Sequence, residues 1–115
     1  MLQLNKDFKS DDREPYDATK FGIGDILDAS FVWSAKIPKF FKVTRRTAST
    51  IWAVELEYKV TRHDGYGQNG CCIPLVNKVK NPSEVYSGRI SRGRLKLDGC
   101  TAKLWDGEEV DFYTD

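Results

Sequence analysis

His63, Cys71, Cys72 and Cys100 are all the imidazole and thiol groups of this chain. A set of three thiolates and one imidazole is a common tetrahedral zinc shell, so a structural zinc is the one cofactor the side chains leave open. Two features oppose it. Adjacent strand residues such as Cys71 and Cys72 point to opposite faces, and no C-x-x-C spacing is present. The other reading makes one cysteine a core residue and the others incidental. Gly65-Tyr66-Gly67-Gln68-Asn69-Gly70 matches the dinucleotide fingerprint G-x-G-x-x-G. That fingerprint works because a helix opens at the glycines and its N-terminus holds the pyrophosphate. Here Cys71-Cys72-Ile73-Pro74 follows, and Pro74 would sit inside that helix, so the glycines read as a loop.

The catalytic inventory is thin. His63 and Asp64 are adjacent, but no serine stands in a nucleophile-elbow context. Glu55 and Glu57 share one face of an amphipathic strand, where acid–base work would need a cleft with separated pKa values. A solvated outer face is the better account of them. No enzyme is expected.

Charge is more informative. The net value of +1 over 115 residues conceals blocks: Lys36–Arg46 and Arg89–Lys96 hold no acid, and Trp105–Asp115 holds no base. Such blocks either face a partner or pair with each other inside the fold. Lys36, Lys39, Lys42, Arg45 and Arg46, with Arg89, Arg92, Arg94 and Lys96, make a candidate basic face for a partner or a nucleic acid. Aromatic rings interleaved with such cations are how small barrels hold single strands. Asp106, Glu108, Glu109 and Asp111 make a candidate acidic face for a partner protein. If each basic segment instead lies beside an acidic one, the charges pair across strands.

The elements that position these groups are strands. In Phe40–Val60, Trp52, Val54, Leu56, Tyr58 and Val60 alternate with Ala53, Glu55, Glu57 and Lys59. A period of two puts the first set on a core face and the second on a polar face, and the stretch reads as one long hairpin turning over Arg45–Ser49. Earlier, a strand starting at the Gly22–Gly24 turn carries Leu27, Ala29, Phe31 and Trp33 inward, opposite Asp28, Ser30 and Ser34, until Ile37-Pro38 breaks it. Phe40, Tyr66, Tyr86 and Tyr113 are less clearly inward. Cys71–Val76, interrupted by Pro74, suggests an edge strand, and Asn77–Ser83 a loop. Arg94–Leu97 turns at Asp98-Gly99 to pair with Thr101–Leu104. Asp106-Gly107 is a hairpin signal before a closing strand Val110–Tyr113.

No segment has helical periodicity. About six short strands joined by Gly, Asp and Asn turns predict an all-β, mainly antiparallel small barrel or sandwich with little helix. Residues 1–20 read as a polar arm and 21–115 as the single domain, which is long enough to bury a core without disulfides. Composition, at 40% hydrophobic and 30% charged, is that of a soluble globular domain. There is no secretory signal pattern and no apolar window long enough for a spanning helix. An odd cysteine count with two adjacent fits the reducing cytosol.

Gly24-Asp25-Ile26-Leu27, Phe41-Lys42-Val43-Thr44, Thr47–Thr50-Ile51 and Leu104-Trp105-Asp106-Gly107 resemble a family of small β-rich proteins from phages, prophages and plasmids. Its members open with a GDI strand, continue with an FYxVxKxTxxxV hairpin and finish with WDG and a short aromatic strand. The resemblance spans roughly residues 22–113. It departs at Ser34–Lys39, which replaces the family's usual polar loop. What it implies is a mobile-element origin and an accessory role in the host cytoplasm: a non-enzymatic protein that binds and inhibits a host protein, a defence nuclease or other nucleic-acid enzyme among them. The alternative is a nucleic-acid-binding barrel using the two basic segments.

Overall fold

A computed structural model describes residues 12–65 and 69–114. The fold is all-β and antiparallel, with one 3-10 turn at Ala18–Lys20. The strands are β1 (Ile26–Asp28), β2 (Phe31–Val32), β3 (Lys36–Ile37), β4 (Phe40–Arg46), β5 (Thr50–His63), β6 (Asn69–Val79), β7 (Val85–Arg89), β8 (Lys96–Leu97), β9 (Cys100–Thr101), β10 (Lys103–Leu104) and β11 (Val110–Tyr113). The main sheet runs β10-β1-β4-β5-β6-β11-β3-β2, and β8-β9 form a separate small hairpin. Among the described residues no helix is long and apolar enough to cross a membrane.

β4 and β5 form the expected hairpin, with the turn confined to Thr47–Ser49 and β5 continuing to His63. Its length lets β5 serve two neighbours on one edge: Thr50–Val54 pairs with β7, and Leu56–His63 pairs with β6. The two halves also bury opposite faces. Ile51 and Ala53 join Phe41, Val43, Leu27, Leu95 and Leu97 in the larger core, while Leu56 joins Phe40, Cys72 and Val110 in a second one. The single apolar row expected on β5 is therefore divided. Leu56 and Val54 are buried as expected, but Trp52 is half-buried and Tyr58 and Val60 are exposed. Ala53, expected outward, is fully buried. A β-bulge between Val43 and Arg45 accompanies this change of face. Phe40, unassigned from sequence, is fully buried and meets Tyr58 edge-to-face at 6.2 Å.

The first strand ends sooner than its pattern. Leu27 and Ala29 are buried, but Phe31 and Trp33 are exposed. The Asp28 carboxylate accepts from Ser30 N at 2.9 Å and from Ser30 Oγ, an Asx-type turn that redirects the chain. Beyond it β2 pairs, among the described residues, with β3 alone, Phe31 opposite Ile37 and Val32 opposite Lys36. Pro38 then ends β3.

Other boundaries also move. β6 is not an edge strand over its first half, because Asn69–Cys72 lies between β5 and β11. Pro74 comes just beyond the end of β11, where its missing N–H breaks no ladder there. β6 continues to Val79, into the segment expected to be loop. The Asp106-Gly107 turn exists, but β10 pairs with β1 and β11 with β6 and β3, so it closes no hairpin. Asp98 and Gly99, both at positive φ, close the β8–β9 hairpin as expected.

Residues 1–11 of the expected arm lie outside the described residues; 12–20 are part of the domain. Ala18 is fully buried in the larger core. Arg13 pairs with Asp25 at 2.7 Å, and Leu104 N donates to Pro15 O.

Candidate partner-binding surface

His63, Cys71 and Cys72 lie on the paired ends of β5 and β6, and Cys100 on β9. Cys72 is buried in the second core, and burial first, then the nearby Asp28 carboxylate, pushes its thiol up to about 11. Cys71, on the other face of β6, accepts from Arg62 Nη2 at 3.3 Å. Cys100 packs against the larger core. His63 Nδ1 accepts from Gly65 N at 3.0 Å. Among the described residues no three of His, Cys, Asp and Glu are grouped as a metal site. Tyr66, Gly67 and Gln68 of the glycine motif lie outside the described residues, and Asn69 opens a strand rather than a helix. Asp64 is held by Asn69 Nδ2 at 3.1 Å. Glu55 pairs with Lys80 at 3.5 Å, and its neighbour in the carboxylate pair, Glu57, is half-buried.

The acidic segment is partly committed within the fold. Asp111 pairs with Lys36 at 2.8 Å and Glu109 with Arg62 at 3.0 Å. Asp106 Oδ1 accepts from Glu108 N at 2.9 Å, shaping the turn. The Lys36 ammonium holds the Asp111 carboxyl below its ordinary value near 3.8. A carboxyl lowered on folding stabilises the native state above its unfolded pKa, and that contribution disappears as pH falls through the folded value. Wild type should melt above Asp111→Asn at neutral pH, and the gap should close as pH is lowered through and below about 4, where both states protonate. Thermal unfolding of the two proteins across that range checks it.

The nine basic candidates do not form one surface. Lys36 and Lys39 pair with Asp111 and Asp98. Arg46 is a fastener: its guanidinium donates to the carbonyl oxygens of Phe21 at 2.6 Å, Thr47 at 2.9 Å, and Ala18, Thr19 and Ala48 at 3.3 Å. Arg94 lies over the Tyr16 ring at 5.8 Å and donates to Tyr16 O. Arg92 and Lys96 are exposed near the β8–β9 hairpin, where Leu95 and Leu97 belong to the larger core. Lys42, Arg45 and Arg89 lie on the opposite side of the sheet. Lys42 pairs with Val54, Arg45 with Trp52 and Arg89 with Thr50, all on the face away from Ile51 and Ala53 by strand alternation.

The feature the sequence pattern concealed is the β2–β3 hairpin. Phe31 is 47%, Ile37 48% and Trp33 82% exposed. Phe31 and Ile37 are cross-strand partners and so share a face, with Trp33 at the turn between the strands. Val32 and Lys36 occupy the other face and wall a polar cleft of two cavities, about 140 and 180 Å³, that share Asp28, Lys36 and Lys103. Asp106, Glu109 and Asp111 line the larger one. An exposed apolar hairpin thus stands beside a cleft with more carboxylates than ammoniums. The local signal for it was the pair Asp28 and Ser30, an Asx-turn combination inside an otherwise strand-like alternation.

Compared with protein-family models, with curated proteins and with solved structures, the chain finds no match.

Proposed function

We propose that this chain is a non-enzymatic binding protein of a mobile element that docks on, and inhibits, a protein in the host cytoplasm. The observation that carries the reading is the β2–β3 hairpin, with Trp33 82% exposed between Phe31 and Ile37. Leaving a tryptophan and its apolar neighbours in water forfeits burial energy of about 25 cal/mol per Å², and large rigid side chains of this kind are the usual anchors of protein interfaces. The flank formed by Asp106, Glu109 and Asp111 adds negative charge at the hairpin base. The complementary partner has an apolar pocket with a basic rim, a description that suits the substrate channel of a nucleic-acid enzyme.

The test begins with a photo-crosslinking residue in place of Trp33, expressed in the host, followed by purification of the adduct's partner. Truncating Trp33→Ala together with Ile37→Ala should weaken binding of that partner about 100-fold and relieve its inhibition, with the melting temperature unchanged. Asp106→Asn with Glu108→Gln keeps the turn acceptor and removes the charge, so it should slow association, more at low salt than at high. A purified partner that binds the double alanine variant as tightly as wild type would place the contact elsewhere and sink the reading.

A further inference from the structure

The face carrying Lys42, Arg45 and Arg89 is separate from the β2–β3 hairpin. The three strand segments 40–46, 50–54 and 85–89 contain no aspartate or glutamate. They are adjacent in the sheet, with the first half of β5 in the middle. Their inner face is the larger core, where Phe41, Val43, Ile51 and Ala53 are fully or almost fully buried and Tyr86 packs against them. Their outer face holds Lys42 and Arg45 on β4, Thr50 and Trp52 on β5, and Val85, Ser87 and Arg89 on β7, with Phe40 and Val54 buried at its other end. Arg45 and Arg89 are exposed, and so is Val85, at 54%. Neither arginine is in an ion pair among the described residues.

The chemistry of this face is specific. The Arg45 guanidinium lies over the Trp52 ring, 4.3 Å from its centroid. At that distance the cation contacts the indole π face, and because Arg45 is exposed and Trp52 half-buried, the pair offers a planar group and a ring on which a nucleobase can stack. The Arg45 N–H fork is a phosphate donor, and so is the half-buried Lys42 ammonium, which gives one of its three N–H bonds to Val76 O at 3.3 Å and keeps the others. Arg89 is a third donor two strands away, and neighbouring strands are about 4.8 Å apart, so the cations flank the Trp52 position on both sides. A three-stranded face whose strand segments carry no carboxylate among the described residues, with an aromatic between cations, is complementary to a single strand whose bases are accessible, whereas a duplex hides its base faces.

We infer that the outer face of β4, β5 and β7 binds single-stranded nucleic acid, with Lys42, Arg45 and Arg89 on phosphates and a base stacked on the Arg45–Trp52 pair. This is independent of the hairpin, which lies elsewhere on the sheet, beyond β11.

The experiment is fluorescence anisotropy of the full chain with labelled oligo(dT), oligo(rU) and a duplex, each about 16 nucleotides long. It is run from about 50 to about 200 mM salt. The expected result is binding of single strands in preference to duplex. The log–log salt slope should be about −2, which is three phosphate contacts at roughly 0.7 each. The better of the DNA and RNA arms identifies the natural strand. Arg45→Ala with Arg89→Ala should weaken binding at least tenfold and make the slope shallower by more than one. Arg45→Lys, which keeps charge but not the planar stack, should weaken it severalfold. The charge-matched control Arg92→Ala with Lys96→Ala, both outside this face, should change affinity less than twofold.

Three results would overturn the inference: absence of single-strand binding at the lowest salt, equal loss from both double variants, or equal competition by inorganic polyphosphate of matched charge. Melting curves of every variant separate lost binding from lost folding.

Discussion

Replacing Phe41 by alanine should cost about 4 kcal/mol of stability, the range for a phenylalanine removed from a closed core. Phe41 is fully buried between β1 and β5, pairing with Leu27 on one side and Glu55 on the other. Its ring meets Tyr86 of β7 edge-to-face, with centroids 5.1 Å apart and planes at 72°. The side chain therefore joins three strands and the inner face of the sheet at one point. A domain of this size has about 5–15 kcal/mol in total, so Phe41→Ala should be close to unfolded at ordinary temperatures. Denaturant titration at equilibrium checks it, with Trp52→Ala as the comparison. Trp52 is larger but half-buried under Arg45, and its loss should cost clearly less. A ranking with Trp52 the costlier would mean that the core lies on the other face of the hairpin.

Gly88→Ala should be nearly as damaging, although it adds a single methyl group. Gly88 is opposite Ile51 in the β5–β7 ladder. A Cβ there would stand 2.4 Å from the carbonyl oxygen of Lys96 and 2.8 Å from Leu95 Cδ1. The first contact is with backbone, which cannot rotate away. β8 would have to lift, and Leu95 and Leu97, both fully buried, would lift with it. Overpacking of this kind costs about 1–3 kcal/mol, and the immovable backbone contact places this case at the upper end. Gly22→Ala is the control. Its nearest neighbour would be Asp25 Oδ2 at 3.8 Å, an ordinary contact, so the change should stay within about 1 kcal/mol. Thermal or chemical unfolding of both variants decides it. A Gly88→Ala protein as stable as Gly22→Ala would show that β8 does not cross this strand.

The contrast between these residues shows what local pattern carries. Alternation identified β5 as a strand and placed its hairpin partner correctly, because a period of two reflects backbone geometry that any strand obeys. It misassigned Trp52, Tyr58 and Val60, because which face is covered depends on neighbours distant in sequence. β8 and β9 cover one face of the first half, and the Phe40–Cys72 cluster covers the other face of the second. Phe31 and Trp33 failed for a shorter-range reason. A hydrogen bond from Ser30 to Asp28 turns the chain before the alternation ends, and hydrophobicity scales do not register it.

Charge followed the same division. The absence of acids in Lys36–Arg46 and Arg89–Lys96 was plain from the residues. Their use was not. Arg46 and Arg45 are neighbours in sequence, yet one fastens carbonyl oxygens of the Ala18–Phe21 segment and the other stacks outward on Trp52. Likewise Asp111 and Glu109 are drawn to Lys36 and Arg62, far away along the chain.

The sequence by itself determined that this protein is built of antiparallel strands, where most of its turns fall and where its charge is concentrated. These are properties of a few consecutive residues: pleat alternation, turn chemistry and the positions of ionisable groups. Only the tertiary structure decided which rows are buried, that β2–β3 is an exposed apolar hairpin, and which cations share a face. Those outcomes depend on pairing between residues tens of positions apart. There the gain from covering one face competes with the gain from covering the other, and the winner is set by the whole sheet.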